Sequence, residues 1–160
     1  DGVAMMMPPP TLVHQRIASN LALELNTHLR SNKPELFAFQ EVGLIVPEAE
    51  LFRPEADVAV LDAMADYESY AQKFYFVAEI LSDSNTDKDI AVKRQRYLQQ
   101  PDNLYFLVIE QKRVRIEVMA RATGWSPAIL EGLTATLELP QFGFCCPIAD
   151  LYRGTPLQAP

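Results

Sequence analysis

The sequence predicts an α/β (α+β) fold, in which helices flank a mixed sheet and a β appendage follows at the C-terminus. The first observation is the order of hydrophobic periodicities, which gives a helix, three strands, a second helix and two more strands before the tail. The second is the run "KFYFVAEIL", whose continuous apolar character is typical of a strand covered on both faces. The third is length, because 160 residues suit a single domain, 1–160, and two halves would be too small to bury good cores.

The first half of the chain predicts one long helix and two strands. Thr11 follows three prolines and is a good helix N-cap. Apolar residues then recur at helical spacing and predict a helix over 11–31, with its stripe at Val13, Ile17, Leu21 and Leu25. The segment "LFAFQEVGLIV" predicts a strand over 37–46, and "ADVAVLD" predicts a second strand over 56–62. The polar segment "MADYESYAQ" is then expected to be a link.

The second half predicts a strand, a helix and a hairpin. The strand covers 73–81, and the helix begins at Thr86 or Asp87 and runs to about Gln100, where Pro101 stops it. The segments "NLYFLVIE" and "RVRIEVMAR" predict a hairpin that turns around Gln111 and Lys112. The tail adds a strand at about 133–139 and a short helix near 147–152.

Composition narrows the class of function. The net charge of −7 argues against broad electrostatic capture of nucleic acid, although eight of the 14 Lys and Arg residues lie between 88 and 121. Those basic residues indicate either solvated helix and hairpin faces or a nucleic-acid patch, and charge alone favours the former. No apolar run approaches the roughly 20 residues that span a bilayer, so no membrane partner is expected. The two cysteines are adjacent and lack disulfide or metal spacing, which favours a reducing cytoplasm.

Two carboxylates are expected to meet across the predicted sheet. Asp57 lies at the start of the second strand, and Glu79 lies near the end of the third as the only acid in its apolar run. If these strands pair antiparallel, the two residues are cross-strand neighbours, with Cβ atoms about 4.5–5.5 Å apart. Such a pair repels unless it shares a proton or a cation. An all-oxygen site of this kind suits a hard divalent cation such as Mg²⁺.

The second helix offers a lysine to this pair. Ile90, Lys93 and Tyr97 stand at i, i+3 and i+7, so Lys93 falls on the inward stripe. It can snorkel to solvent, pair with Asp89, or point at the two carboxylates, and we predict the last. Arg94 is rotated off the stripe by about 100°. It is therefore expected, like Arg96, to face solvent or nucleic acid.

Three segments together resemble a known superfamily. "ADVAV", "FVAEILSDSN" and "DIAVKRQRYL", in this order, are similar to the PD-(D/E)xK restriction-endonuclease-like proteins, and more closely to their Uma-type family of candidate restriction endonucleases. The opening "DGVAMMMPPPTLVHQRIASNL" and the closing "LELPQFGFCCPIADLY" resemble the same family. The resemblance therefore covers nearly the whole chain and implies a restriction-endonuclease-like fold.

The resemblance also implies roles for individual residues. It implies that Asp57 and Glu79 hold Mg²⁺ or Mn²⁺, and that Glu41 is an extra ligand or an acid that holds a water. It also implies that Lys93 is a catalytic lysine that has moved from strand to helix. The resemblance also implies secondary roles at the site for three further residues, His14, Asp89 and Tyr97. The chain departs from the pattern at two positions: Ala56 replaces the usual proline and Leu81 stands where the strand lysine is expected.

These expectations describe a metal-dependent endonuclease that hydrolyses DNA phosphodiester bonds. Lys88, Arg94 and Arg96 would contact phosphates, DNA would be the partner, and a homodimer is compatible with the resemblance. The first alternative is a catalytically inactive binding or assembly module of the same fold, which the acidic net charge and Leu81 favour. The second is an acid–base enzyme with a closed pocket lined by carboxylates.

Overall fold

Helices cover both faces of a seven-stranded sheet in the computed structural model, which describes residues 8–65 and 70–158. Two of the three α-helices are long; the third is a single turn. The bounds are α1 Leu12–Asn32, β1 Leu36–Leu44, β2 Glu55–Asp62, β3 Tyr70–Ala71, β4 Phe76–Ile80, α2 Asp87–Gln99, β5 Tyr105–Ile109, β6 Arg115–Ala120, β7 Ala128–Glu131, β8 Thr136–Leu139, β9 Phe144–Pro147 and α3 Ile148–Leu151. Short 3-10 turns cover Arg121–Thr123, Pro140–Phe142 and Pro156–Gln158.

The strand order in the main sheet is β3-β1-β2-β4-β5-β6-β7. β1 pairs antiparallel with β2, and β2 pairs antiparallel with β4. β4 and β5 are parallel, as expected for strands joined by a crossover helix, here α2. β5, β6 and β7 form an antiparallel meander, while β3 pairs in parallel with β1 at the sheet edge. The predicted antiparallel neighbours that carry Asp57 and Glu79 are therefore present.

Each long helix packs on its own face of the sheet. α1 begins after Thr11, whose side chain accepts a hydrogen bond from the His14 backbone N–H, as the N-cap prediction required. Its apolar stripe packs with the small β8–β9 sheet and α3 on one face of the main sheet, through Ile17, Leu21, Leu25 and Leu29. The other face is covered by α2 through Ile90 and Tyr97.

Several predicted boundaries and elements need correction. The predicted strand 37–46 ends at Leu44, and the predicted strand 73–81 is confined to Phe76–Ile80, although Leu81 N still bonds to Ile109 O. Part of the segment expected to be a polar link pairs with β1 as β3, while residues 66–69 of that segment lie outside the described residues. The sequence did not predict β7, which joins the main sheet, or β9, which completes the two-stranded appendage with β8.

Within residues 8–65 and 70–158, no helix has the length and apolar character needed to cross a membrane.

Candidate active site

Asp57 lies near the start of β2 and connects three elements. Its Oδ2 accepts a hydrogen bond from the Ile80 backbone N–H of β4 at 2.7 Å. Its Oδ1 lies 3.2 Å from Nε2 of His14 on α1. Val58 pairs with Ala78 in the antiparallel ladder, so the start of β2 lies beside the end of β4. Asp57 is thereby fixed by groups from two other elements.

His14 provides the charge that faces Asp57. The hydrogen bond to Asp57 raises the pKa of His14 above its ordinary value of 6.5, and partial burial of the ring opposes this rise. The nearby charges of Glu79 and Glu41 act in the same direction as Asp57. His14 therefore stays protonated to a higher pH than a free histidine, and the pair can remain an ion pair.

Glu79 is buried in the middle of the sheet, with only 3% of its surface exposed. Its Oε2 accepts a hydrogen bond from Lys93 Nζ at 3.1 Å, and its Oε1 accepts one from the Tyr97 hydroxyl at 2.7 Å. Burial, joined by the charge of Asp57, raises the pKa of Glu79 to about 7, while Lys93 and Tyr97 act to lower it. Both carboxylate oxygens are thus held by the second helix, and the carboxylate is poised to exchange its proton near neutral pH.

The local sequence explains how α2 reaches Glu79. Lys93 and Tyr97 are four residues apart and lie on one helix face. The helix start is fixed by a capping box, in which Thr86 Oγ1 accepts from Asp89 N while Asp89 accepts from Thr86 N. Oδ2 of Asp89 accepts from the Thr86 hydroxyl as well as from the Thr86 N–H, and these two hydrogen bonds, the hydroxyl's foremost, lower the pKa of Asp89. Of the three options left open for Lys93, the structure has the one in which the ammonium points inward, where it contacts Glu79.

Glu41 lies on β1, the strand that pairs with β2 on the side away from β4. In the β1–β2 ladder Gln40 opposes Val58 and Val42 opposes Ala56, which places Glu41 opposite Asp57. The residue is exposed and its backbone is left-handed, with φ of 54°. Such a conformation is uncommon outside glycine and often marks a functional position.

The predicted phosphate-contacting residues have different surroundings. Lys88 is exposed on α2, as expected. Arg94 instead donates to Glu117 Oε1 of β6 at 2.7 Å, and Arg96 donates to the Pro47 carbonyl at 3.3 Å. Both arginines are partly exposed and each also bonds within the fold, so their predicted contact with nucleic acid stays a prediction.

The carboxylates of Asp57 and Glu79 suit a hard divalent cation. Each has accepted two contacts, and an ionised carboxylate offers about four lone-pair sites, so both keep capacity for a ligand bond. Oxygen donors are the ligands that Mg²⁺ and Mn²⁺ prefer. The ligand atoms of Glu41, Asp57 and Glu79 do not all lie within 4.8 Å of one another, since the group of three that meets this distance among the described residues is Glu24, Cys146 and Asp150. The fit therefore rests on two carboxylates and bound water.

A sequence model for the Uma2 family, described as "putative restriction endonuclease", matches residues 1–149. The chain belongs to the Uma2 family. No curated protein sequence matches this Uma2-family chain. Among solved structures, a "putative nuclease belonging to DUF820" from Anabaena variabilis is similar, with a TM-score of 0.72 and 16% sequence identity. That similarity covers 92% of this chain and 84% of the other, and it shows a shared nuclease-like fold.

Sequence reasoning missed three contacts at and beside this Uma2-family site: the bond between Ile80 and Asp57, the Arg94–Glu117 pair, and a hydrogen bond made by Gln111. Gln111 Nε2 donates to the Leu81 carbonyl at 2.6 Å. Its only signal in the sequence was its place in the predicted hairpin turn, two residues after the end of β5.

Proposed function

We propose that this protein is a divalent-metal-dependent nuclease that hydrolyses DNA phosphodiester bonds. The observation that carries the proposal is the buried Glu79, held by Lys93 and Tyr97 and close enough to Asp57 for their charges to interact. A buried carboxylate with a raised pKa beside a second carboxylate and a lysine is characteristic of a catalytic site. Membership of a family described as restriction endonucleases supports the same conclusion.

Asp57 and Glu79 are the residues that would hold the ion. Mg²⁺ or Mn²⁺ bound there would supply a Lewis acid for the scissile phosphate and a bound water of lowered pKa. Tyr97 fixes one oxygen of Glu79, and the Ile80 N–H fixes one oxygen of Asp57. These contacts orient the carboxylates before any ligand arrives, which reduces the cost of ordering them on binding.

Lys93 would donate a hydrogen bond to the scissile phosphate or to the attacking water. Its ammonium has three N–H donors, of which one is directed at Glu79, leaving others for a phosphoryl oxygen or for the attacking water. A cation placed where negative charge develops stabilises the transition state more than the ground state. Lys88, exposed on the same helix, would contact a neighbouring phosphate and position the strand without reading its sequence.

The experiment is cleavage of mixed linear, circular and single-stranded DNA with Mg²⁺ or Mn²⁺ at low salt. Glu79→Gln and Asp57→Asn, purified in the same way, should lose activity about 100-fold or more. Glu117→Gln is the matched control, because it also removes a glutamate paired with a basic residue of α2. Equal cleavage by the wild type and Glu79→Gln would identify a contaminating nuclease and reject the proposal.

The second candidate is a non-catalytic binding or assembly module. It is favoured by the internal pairing of Arg94 and Arg96 and by the net charge of −7, which leave few cations for DNA. Calorimetry with Mn²⁺ separates the two candidates, because a nuclease site should bind the ion and lose it in Asp57→Asn. A module of this fold has no such requirement.

The remaining alternative, an acid–base enzyme with a closed carboxylate pocket, has less support. A cavity of about 750 Å³ is lined by Glu41 and the aromatic side chains of β1, but by neither Asp57 nor Glu79. We also expect a cytoplasmic location, and size-exclusion chromatography with light scattering would test the homodimer.

A further inference from the structure

Hydrogen bonds connect the end of β4 to the start of α1 on one side of the site. The Ile80 N–H donates to Asp57 Oδ2, and Asp57 Oδ1 faces His14 Nε2 at 3.2 Å. The backbone N–H of His14 in turn donates to Thr11 Oγ1 at 3.0 Å. This path runs from the strand of Glu79, through one proposed metal ligand, to the N-cap of α1.

Gln111 closes the path into a ring. Thr11 Oγ1 donates to Gln111 Oε1 at 2.6 Å, and Gln111 Nε2 donates to the Leu81 carbonyl at 2.6 Å. Leu81 is the residue that follows Ile80, so the ring starts and ends on adjacent residues of one chain segment. The tip of the β5–β6 hairpin thereby joins β4 to α1.

We propose that Gln111 is a positioning residue, which holds the first turn of α1 against the end of β4 so that His14 is presented to Asp57. The inference rests on the proposed function only in taking Asp57 as a metal ligand. The amide of Gln111 is used as a donor at one end and as an acceptor at the other. Glutamate of the same length lacks the donor, and methionine lacks the N–H and O groups altogether.

Hydrophobic packing holds the first turn of α1 only through the partly buried Val13. The fully buried stripe of α1 begins at Ile17, almost one turn beyond His14, whereas Leu12 in the first turn is 82% exposed. The first turn is therefore the part of the helix that burial holds least. Gln111 contacts the residue that caps it.

The test reads the two histidines of the chain in one NMR experiment. Long-range ¹H–¹⁵N spectra of the metal-free protein at a fixed pH report the hydrogen bonding of each imidazole, and His28, far along the same helix, is the internal reference. In Gln111→Met and Gln111→Glu the His14 ring signals should shift while those of His28 stay. Gln95→Met, an exposed glutamine on α2, should leave both unchanged.

Two further variants address the ring from its other end. Thr11→Ser keeps the hydroxyl and should preserve the His14 signals. Thr11→Val removes both the bond to Gln111 and the N-cap bond to His14 N, so it should shift them at least as far as Gln111→Met, with no further shift when Gln111→Met is added. Mn²⁺ affinity in Gln111→Met should fall on the order of tenfold.

Unshifted His14 signals in Gln111→Met, or equal shifts of His28, would overturn the inference. If Gln111→Met fails to fold, Gln111→Glu gives the same decision, because it removes the donor to the Leu81 carbonyl and leaves the Thr11 cap intact. Failure of the nuclease proposal is distinguishable, because the spectra need neither metal nor DNA. A protein that never cleaves DNA but shows the His14 shift keeps the positioning role, and an active protein without the shift loses it.

Discussion

Replacing Glu79 by glutamine should change how the stability of the protein depends on pH. Burial raises the pKa of Glu79 from its ordinary 4.5 to about 7 in the folded protein. Between these values the folded protein binds more protons than the unfolded chain, so the wild-type free energy of unfolding falls as pH rises through this window. The difference between the two pKa values corresponds to roughly 3 kcal/mol. That penalty is absent below the lower value and complete above the upper one.

Glutamine removes this titration with little change of shape, and its carbonyl can still accept from Tyr97. The free energy of unfolding of Glu79→Gln relative to wild type should therefore rise by roughly 3 kcal/mol from acidic to mildly alkaline pH. Urea denaturation at intervals across this range measures the difference directly. His14 also titrates here, and its stabilising contribution is lost as pH rises through its raised pKa. Because both proteins contain that pair, most of the effect cancels.

The matched control is Glu117→Gln, which loses a pair with Arg94 but leaves Glu79 in place. Its profile should keep the fall seen in the wild type. Parallel profiles for wild type and Glu79→Gln would mean that Glu79 ionises in the folded protein as easily as in the unfolded chain. That result would refute the reasoning from burial.

Three substitutions on α2 give separate outcomes. Lys93→Met should lose cleavage about 100-fold or more while keeping the far-UV circular dichroism and Mn²⁺ binding; retained cleavage would exclude the proposed role of the lysine. Tyr97→Phe removes the hydrogen bond to Glu79 and should lower the free energy of unfolding, measured by urea denaturation, by roughly 1–3 kcal/mol. An unchanged value would show that this bond has no net effect on stability. Arg94→Met should destabilise by roughly 1–3 kcal/mol, because Glu117 loses its partner, yet leave the salt dependence of DNA binding as it was. A weaker dependence of DNA affinity on salt concentration in Arg94→Met would show that Arg94 contacts a phosphate.

Local patterns predicted the long elements of the fold well. The capped helix α1, the strands that carry Asp57 and Glu79, and the β5–β6 hairpin follow from signals within a few neighbouring residues. The missed strands are short and are defined by their partners. β3 has two residues, and β7 is an edge strand with mostly exposed side chains, so neither shows the alternation that burial of one face imposes.

The sequence predicted a site residue well where a single helix or strand determines the direction in which its side chain points. Helical periodicity alone indicated that Lys93 points inward. The same periodicity did not reveal the partner of Arg94, because rotation about a helix does not show which side chains of the sheet lie beside it. In the sheet, Val108 of β5 lies between Glu79 of β4 and Glu117 of β6. Helix α2 therefore packs over a row of residues that has one glutamate on each side of β5. Lys93 reaches one acid and Arg94 reaches the other.

The charges of the site indicate that a metal ion and DNA should bind together. Asp57 faces His14 and Glu79 faces Lys93, so with both cations protonated and both carboxylates ionised the four groups are close to neutral. A divalent ion alone would bring an excess of positive charge, which favours loss of the His14 proton or release of Lys93 from Glu79. A phosphodiester together with a hydroxide nucleophile would bring the two negative charges that restore balance. Metal and DNA should therefore bind cooperatively, and Mn²⁺ affinity measured by calorimetry should increase in the presence of a non-cleavable phosphorothioate oligonucleotide; equal affinities would show that the lysine and the histidine do not respond to the ion.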